Sequence, residues 1–423
     1  MAGQSRSRRW GKNVEPPTDE RESLLSGQEL AVSDHSSQTA TDAVTVAPVD
    51  LSAPVRAQTW TPPCSTPTYW RPSAAPITRV YAALDLGTNN CRLLIARPSR
   101  RGFQVMDAFS RIIKLGEGVS TTGRLSEAAM ARTWEALKVC AAKMRRHNVT
   151  RSRLVATEAC RIAENGQEFV DRIRRELGLT IEILSREAEA KLAVSGCATL
   201  LDENSDLALV FDIGGGSSEL VWLDLTRRKR NWRRSLAHRL EAMNCITAWT
   251  SLPVGVVSLA ERFGGRRLTP AGFEAMVDHV MELLKPFEAQ HGFRKRVQTG
   301  RAHLLGTSGT VTTMAGIRLG LPRYDRSRVD GYWLDAAEAR AITYDLLSRS
   351  YEQRVAEPCI GKERADLVLA GCAILEGLLR MWPARRLRVA DRGLREGILA
   401  TMMAEDGCYR NSHRRARKAQ LNG

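Results

Sequence analysis

The alternation of apolar and polar positions divides the chain into strands and helices from about residue 79 onward. The stretches RVYAALDLG and NCRLLIARP are short apolar runs separated by a turn, which is typical of two paired strands. The stretch SEAAMARTWEALKVCAAKMRRH (126–147) has apolar residues at helical spacing, a leading serine and a basic end, and it predicts a helix. Strands and helices continue to alternate afterwards, so the pattern indicates an α/β protein.

The strand–turn–strand pattern restarts in the second half of the chain. DLGTNNCRLLI (85–95) and DIGGGSSELVW (212–222) both begin with an aspartate after an apolar run, turn through small residues and become apolar again. This repetition predicts two similar domains in tandem. We place domain I at 79–191 and domain II at 192–406, with the last helix in a position to return to domain I.

The segments that flank these domains have a different composition. Residues 1–78 hold nine of the sixteen prolines and no sustained periodicity, which predicts a disordered Pro/Ser-rich tail. Residues 407–423 form a basic C-terminal tail. No run of about 18 apolar residues occurs, and no apolar segment follows the basic N-terminus, so we expect neither a membrane helix nor a secretory signal. The expected location is the cytoplasm.

The net charge of +16 indicates an anionic partner. Residues 1–78 contain 7 Lys/Arg and 8 Asp/Glu, so the excess belongs to the rest of the chain. Nucleic acid, acidic lipid and a polyphosphorylated substrate all fit this charge, as does a solvated basic surface without a partner. The nine cysteines include no C-x-x-C pair, which favours reduced, packed thiols over a zinc site.

Three turns rich in glycine and hydroxyl residues follow apolar strands: DLGTNN (85–90), DIGGGSS (212–218) and GTSGT (306–310). Glycines let backbone N–H groups approach an anion, and Ser and Thr add further donors. An aspartate beside a phosphate is repulsive unless a cation lies between them. Asp85 and Asp212 therefore indicate Mg²⁺ that is held partly through water.

These turns, together with ATEACR, ILSREAEAKL and VADRGLREGIL, resemble the exopolyphosphatase / guanosine pentaphosphate phosphatase (Ppx/GppA) family over roughly residues 79–406. The family belongs to the actin-like ATPase superfamily, which includes acetate and sugar kinases. The resemblance implies two ribonuclease-H-like domains that flank a cleft. It also implies Mg²⁺-dependent hydrolysis of terminal phosphoanhydride bonds in inorganic polyphosphate or guanosine pentaphosphate.

The resemblance implies that Glu189, in SREAEAKL, is the base that activates water. Family members often have two adjacent glutamates here, whereas this chain has Ala188 before Glu189. Glu187 is therefore the alternative base.

The resemblance also implies the groups that hold metal and phosphate. The expected metal ligands are Asp85, Asp212 and Glu219, although a position on a strand also allows Glu219 to face solvent. The expected phosphate-binding residues come from the three turns and from two arginines: Gly87, Thr88, Asn89, Arg92, Arg161, Gly214, Gly215, Gly216, Ser217, Gly309 and Thr310.

Two arginines have alternative explanations. Arg161 lies close in sequence to Glu158 and Glu164, and an ion pair with either would give it a structural role. Arg364 fits a phosphate contact or an ion pair with Asp366.

Two further functions remain open at this stage, a kinase of the same superfamily and a non-catalytic sensor of alarmone nucleotides. The expected partners are polyphosphate or guanosine penta- and tetraphosphate, without membrane and without specific nucleic acid. Dimers occur in the family, which makes a homodimer one option, but the sequence shows no interface. The basic insert TRRKRNWRRSLAHR (226–239) is either a polyanion surface or a solvated hairpin end.

Overall fold

Strands alternate with helices through residues 79–99, 102–227 and 242–408, which are the residues described by the computed structural model. The predicted α/β class is confirmed, with two separate sheets. The predicted tail at 1–78 lies outside the described residues, as do most of the basic insert and of the segment 407–423. The predicted domain boundaries stay predictions.

The first sheet has five strands in the order β3-β2-β1-β4-β5. They are β1 (Tyr81–Leu86), β2 (Asn90–Ser99), β3 (Gly102–Ile112), β4 (Arg151–Ala156) and β5 (Ile181–Ile183). The first three are antiparallel, whereas β4 runs parallel to β1 and β5 parallel to β4.

The second sheet has six strands in the order β10-β11-β9-β6-β7-β8. They are β6 (Leu207–Ile213), β7 (Ser218–Asp224), β8 (Ile246–Leu252), β9 (Ala302–Gly306), β10 (Trp333–Asp335) and β11 (Arg386–Val389). When it is read from β8 to β11, this sheet has the strand order and directions of the first sheet, with β10 added at one edge. The repetition seen in the two hairpins therefore extends through both sheets.

Strand β8 completes this repeat, and the sequence pattern did not predict it. Its residues, ITAWTSL, mix apolar and polar side chains because the strand lies at the sheet edge and is only partly covered. The basic insert also lies between β7 and β8 in the sequence, so the two strands do not look like a short hairpin.

Helices cover both sheets. In the first half they are α1 (Val119–Thr122), α2 (Glu127–Arg146), α3 (Glu158–Ile162), α4 (Gly166–Leu177) and α5 (Arg186–Cys197). In the second half they are α6 (Val256–Phe263), α7 (Pro270–His291), α8 (Phe293–Gln298), α9 (Gly309–Arg318), α10 (Arg326–Val329), α11 (Ala336–Ser348), α12 (Tyr351–Ala356), α13 (Val368–Met381) and α14 (Leu394–Glu405). The predicted helix at 126–147 is α2, and the Ser126 hydroxyl accepts a hydrogen bond from the Ala129 N–H at its start.

The central strands are buried on both faces. In β1, Ala82 and Leu84 pack in the core beneath α2 and α4, whereas Tyr81 and Ala83 pack on the opposite face with α14. A strand that is covered on both sides reads as a nearly continuous apolar run, which explains why β1 and β6 lack alternation in the sequence.

Helices α5 and α14 cross in very close contact. A Cβ atom at Gly397 would lie 2.0 Å from the Leu192 carbonyl oxygen, and one at Gly196 would lie 1.8 Å from the Gly393 carbonyl oxygen. Helix α14 also packs on β1, where the Tyr81 hydroxyl donates a hydrogen bond of 2.7 Å to Asp406. The glycines thus fix the position of α5, the helix on which Glu189 lies.

No helix within the described ranges has both the length and the apolar character needed to cross a bilayer.

Replacing Gly397 with alanine should force α5 and α14 apart, because the added methyl group has no space. We expect the free energy of unfolding to fall by about 1–3 kcal/mol, as for other overpacked interiors. Urea denaturation measures this change. The control is Lys191→Ala on the exposed side of α5, which should cost less than about 0.5 kcal/mol; equal effects of the two variants would contradict the proposed crowding.

Candidate active site

The three glycine turns meet at one cleft with a volume of about 140 Å³. Fourteen of the residues expected from the sequence line it: Asp85, Gly87, Thr88, Asn89, Arg92, Glu189, Asp212, Gly214, Gly215, Gly216, Ser217, Glu219, Gly309 and Thr310. Arg161 is the one expected residue that does not line the cleft. The structure therefore brings together side chains from both sheets and from the helix α5 between them.

The first two turns have the same backbone geometry. The Gly87 N–H donates to the Asn90 carbonyl, and the Gly214 N–H donates to the Ser217 carbonyl, each at 2.9 Å. The strand pairing is equivalent as well, because Asp85 lies opposite Arg92 and Asp212 lies opposite Glu219. Each hairpin thus places one aspartate and one further charged residue at the cleft.

The glycines of the second turn allow the two hairpins to pack against each other. A Cβ atom at Gly215 would lie 2.8 Å from the Thr88 Cβ, and one at Gly216 would lie 3.1 Å from the Glu158 Cγ. No described residue accepts a hydrogen bond from the backbone N–H of Thr88, Gly215 or Gly216. These N–H groups are therefore available to an anion in the cleft.

The third turn adds the N-terminus of α9. The Ser308 hydroxyl accepts a hydrogen bond from the Val311 N–H and caps the helix. The N–H groups of Gly309 and Thr310 belong to the first turn, where a helix leaves its donors unpaired and favours negative charge. Thr310 fits closely against Gly371 of α13, where a Cβ would lie 2.2 Å from the Thr310 Oγ1.

Five carboxylates line the cleft, and for four of them, Asp85, Glu189, Asp212 and Glu219, the surroundings disfavour ionisation. Burial, followed by the charge of Glu219, raises the pKa of Asp212 to about 7. The same two causes raise the pKa of Glu189 well above its usual range. Burial raises the pKa of Asp85 and of Glu219, although the hydroxyl groups of Ser217 and Ser251 each donate a hydrogen bond to Glu219. The cleft therefore holds negative charge that the protein neutralises only in part.

Glu219 does not face solvent, since only 3% of its surface is exposed. Its side chain points toward the cleft beside Asp212. The alternative position left open by the sequence therefore does not occur.

Three arginines bring positive charge to the same region. Arg92 and Arg364 line the cleft, and Arg395 lies close enough to Asp85 and Arg92 for their charges to affect it. Burial, and then repulsion from Arg92, lowers the pKa of Arg364. Within the described part of the chain, none of the three arginines forms an ion pair. Asp366, the alternative partner of Arg364, instead pairs with Arg266 at 3.1 Å.

Arg161 and Glu187 lie in other surroundings. Arg161 pairs with Glu158 and with Glu189, each at 2.9 Å. Glu187 is about half exposed and pairs with Lys191 at 2.6 Å on the outer side of α5. Only Glu189 of the two candidate bases lines the cleft.

Several lining residues were absent from the set expected from the sequence. They are Asn90, Thr157, Glu158, Ser308 and Thr313, together with an apolar wall that includes Val256, Leu367 and Val368. Asn90 and Ser308 lie within the DLGTNN and GTSGT turns, and Thr157 and Glu158 lie within ATEACR, so the quoted motifs contain all four. Thr313 and the apolar wall reach the cleft through contacts between distant segments.

Comparisons with known proteins agree with this geometry. The model of the Ppx/GppA phosphatase family matches residues 94–406. A guanosine-5'-triphosphate,3'-diphosphate pyrophosphatase of Photobacterium profundum is 28% identical over 331 residues, which are 78% of this chain and 60% of that protein. This chain thus spans less than two thirds of the length of that curated relative.

Two solved structures are similar over nearly their whole length. The Aquifex aeolicus member of the Ppx/GppA family is 26% identical, with a TM-score of 0.60, and the match covers 78% of this chain and 98% of that chain. An exopolyphosphatase-like protein is 29% identical, with a TM-score of 0.66, and the match covers 77% of this chain and 97% of that one.

The raised pKa of Asp212 predicts how stability depends on pH. Its stabilising contribution is complete below the usual pKa of 3.8 and is lost as the pH rises through about 7. Between pH 5 and pH 8, without divalent cations, the free energy of unfolding should therefore fall more in the wild type than in Asp212→Asn. Urea denaturation at both pH values measures the difference. Asp206→Asn, at an exposed ion pair, should behave like the wild type, and an identical pH response of all three proteins would contradict the assignment.

Proposed function

Because this chain belongs to the Ppx/GppA phosphatase family, we propose that it hydrolyses terminal phosphoanhydride bonds and releases phosphate from inorganic polyphosphate, guanosine pentaphosphate or both. One observation carries the proposal. N–H groups from three turns, two arginines that form no ion pair with any described residue, and the partly buried Glu189 converge on one cleft. These are the groups that phosphoryl transfer to water requires, namely donors and cations for the phosphate oxygens and a carboxylate for the nucleophile.

In this proposal the turns and arginines bind the phosphates. The N–H groups of Thr88, Gly215 and Gly216 donate to phosphate oxygens from both hairpins, and the start of α9 donates from a third direction. Arg92 and Arg364 contribute full charges and planar donor groups that suit phosphate oxygens. The positive net charge of the chain favours the approach of polyanions to the protein.

Glu189 acts as the general base. Its Oε2 atom accepts a hydrogen bond of 2.9 Å from Arg161, and no described residue donates to Oε1. The Oε1 atom is thus the one available to orient a water molecule and accept its proton. A pKa raised by burial improves the carboxylate as a base, provided that it is ionised at the working pH.

Asp85, Asp212 and Glu219 fit Mg²⁺ as the cofactor. Within the described ranges, no group of three or more His, Cys, Asp or Glu side chains converges to enclose an ion. Mg²⁺ does not require such a group, because it usually keeps several waters and binds one or two carboxylates together with substrate phosphates. When bound, it supplies positive charge to the phosphate oxygens and offsets the repulsion among these carboxylates.

The location in the cytoplasm and the homodimer remain predictions from the sequence. A kinase would transfer phosphate to an acceptor other than water, and a sensor would bind the nucleotide without releasing phosphate. The phosphate-release assays below therefore distinguish both from the proposed hydrolase.

Glu189→Gln should lower kcat for phosphate release by about 10²- to 10⁴-fold, the usual contribution of a positioned general base. Substrate binding should persist, because the turns and arginines are unchanged. Colorimetric phosphate release measures kcat, and calorimetry measures binding. The control is Glu187→Gln, which changes the same charge outside the cleft and should keep nearly full activity. Full activity of Glu189→Gln would contradict the assignment of the base.

Phosphate release should require Mg²⁺ and should be measured with long-chain polyphosphate and with guanosine pentaphosphate side by side. We expect chelation with EDTA to abolish release from either substrate and Mg²⁺ to restore it. Binding without release from either substrate would instead favour the sensor. Phosphate transfer to an added acceptor, without release to water, would favour the kinase.

Mg²⁺ should also raise the midpoint of thermal unfolding in the absence of substrate, because an ion that binds only the folded state stabilises it. The increase should be smaller in Asp85→Asn and in Asp212→Asn. Differential scanning fluorimetry with and without Mg²⁺ measures it, and an equal increase in both variants and the wild type would contradict the proposed ligands.

A further inference from the structure

Four charged side chains of alternating sign form a continuous chain of ion pairs that ends at Glu189. We propose that Arg161 and Glu158 are positioning residues, which hold the Glu189 carboxylate in the orientation needed for it to act as a base. Arg161 thus has a different role from the phosphate contact implied by the family resemblance. The inference rests on the proposed function and adds two residues to the machinery of the same site.

Every nitrogen of the Arg161 guanidinium group donates a hydrogen bond to a protein group. Its Nε donates to Glu158 Oε2 at 2.9 Å, its Nη1 donates to the Leu184 carbonyl, and its Nη2 donates to Glu189 Oε2 at 2.9 Å. Only 14% of the side chain is exposed, and it does not line the cleft. Each of the three nitrogens already has a protein acceptor, and these contacts direct the guanidinium group toward Glu158 and Glu189 rather than into the cleft.

The two arginines that line the cleft differ from Arg161 in their partners. Among the described residues, Arg92 and Arg364 have no carboxylate partner, and both line the cavity. A phosphate that enters the cleft therefore meets these two guanidinium groups before it meets Arg161. Binding and positioning are divided between different arginines.

Glu158 determines the direction in which Arg161 points. It is 4% exposed, and it is anchored from its other side by Arg186, whose Nη2 donates to Oε1 at 2.7 Å and whose Nε donates to Oε2 at 3.3 Å. Glu158 therefore cannot turn away without breaking two further hydrogen bonds. A carboxylate that is fixed in this way holds the Arg161 guanidinium group in an orientation in which its Nη2 atom faces Glu189.

The contact with Glu189 has two consequences for the reaction. The hydrogen bond to Oε2 restricts rotation of the carboxylate and leaves Oε1 free toward the cleft. The positive charge of Arg161 also acts against burial and favours the ionised form of Glu189, which is the form that accepts a proton. Glu158 contributes to both effects through Arg161 without contacting Glu189 itself.

Glu158→Gln tests the proposal, because it keeps the shape of the side chain and removes the charge that orients Arg161. We expect kcat to fall roughly tenfold to a hundredfold, a part of what a positioned base contributes, while KM changes by less than about threefold. Arg161→Met should lower kcat at least as much. The control is Glu182→Gln on β5, which removes the same charge from an exposed pair with Arg153 and should leave both constants unchanged.

A double-mutant cycle separates positioning from direct phosphate binding. If Glu158 and Arg161 act only through Glu189, then adding Glu158→Gln or Arg161→Met to Glu189→Gln should cause no further loss of activity or of substrate affinity. A further loss of affinity, measured by calorimetry with the Glu189→Gln background, would overturn the proposal and return Arg161 to the phosphate-binding set.

The activity of Glu158→Gln and of the wild type distinguishes failure of the positioning role from failure of the proposed function. If the wild type releases phosphate but Glu158→Gln keeps its kcat, the positioning role is wrong and the proposed function stands. If the wild type releases no phosphate from either substrate, the proposed function itself fails. Circular dichroism and thermal unfolding of each variant show whether it is folded, and Glu158→Asp provides a second variant should Glu158→Gln fail to fold.

Discussion

Four of the carboxylates that line the cleft set the central electrostatic constraint of this structure. Asp85, Glu189, Asp212 and Glu219 all have raised pKa values, because burial removes them from water and neighbouring charges repel them. Such an arrangement costs free energy unless other groups compensate for it. Hydroxyl groups compensate Glu219, and Arg161 compensates Glu189. In the proposed function, the remaining negative charge at the two aspartates attracts a divalent cation, and that cation offsets their repulsion of a phosphorylated substrate.

The repeated sheet explains how these groups reach one place. The turn between β1 and β2 and the turn between β6 and β7 both lie at the cleft. Each turn therefore contributes one aspartate and backbone N–H groups from which no described residue accepts a hydrogen bond. The two turns touch through Gly215 and Thr88, and the tight crossing of α5 and α14 fixes the helix that supplies Glu189. Phosphoryl transfer depends on groups that are already in position, and the packing of glycines against backbone provides that rigidity.

Much of this arrangement could be predicted from local sequence. The hairpins, the helix caps at Ser126 and Ser185, and the α/β class all follow from patterns a few residues long. Strand β8 could not be predicted, because it is an edge strand of mixed composition whose pairing with β7 depends on the rest of the sheet. Glu158 was recognised only as one neighbour of Arg161, since its role depends on Arg186, which lies 28 residues further along the chain.

The sequence by itself determined which residue types stand at the ends of the strands, because strand and turn formation depend on near neighbours. It thereby indicated the two hairpins and the aspartates at their starts, and the family resemblance added Glu189 between them. Only the tertiary structure decided which charges meet. A guanidinium group pairs equally well with a carboxylate or a phosphate, and the residues around Arg161 in the sequence do not distinguish the two. The folded chain brings Glu158 and Glu189 to its side, and on these contacts we assign Arg161 to the proposed base rather than to the phosphate.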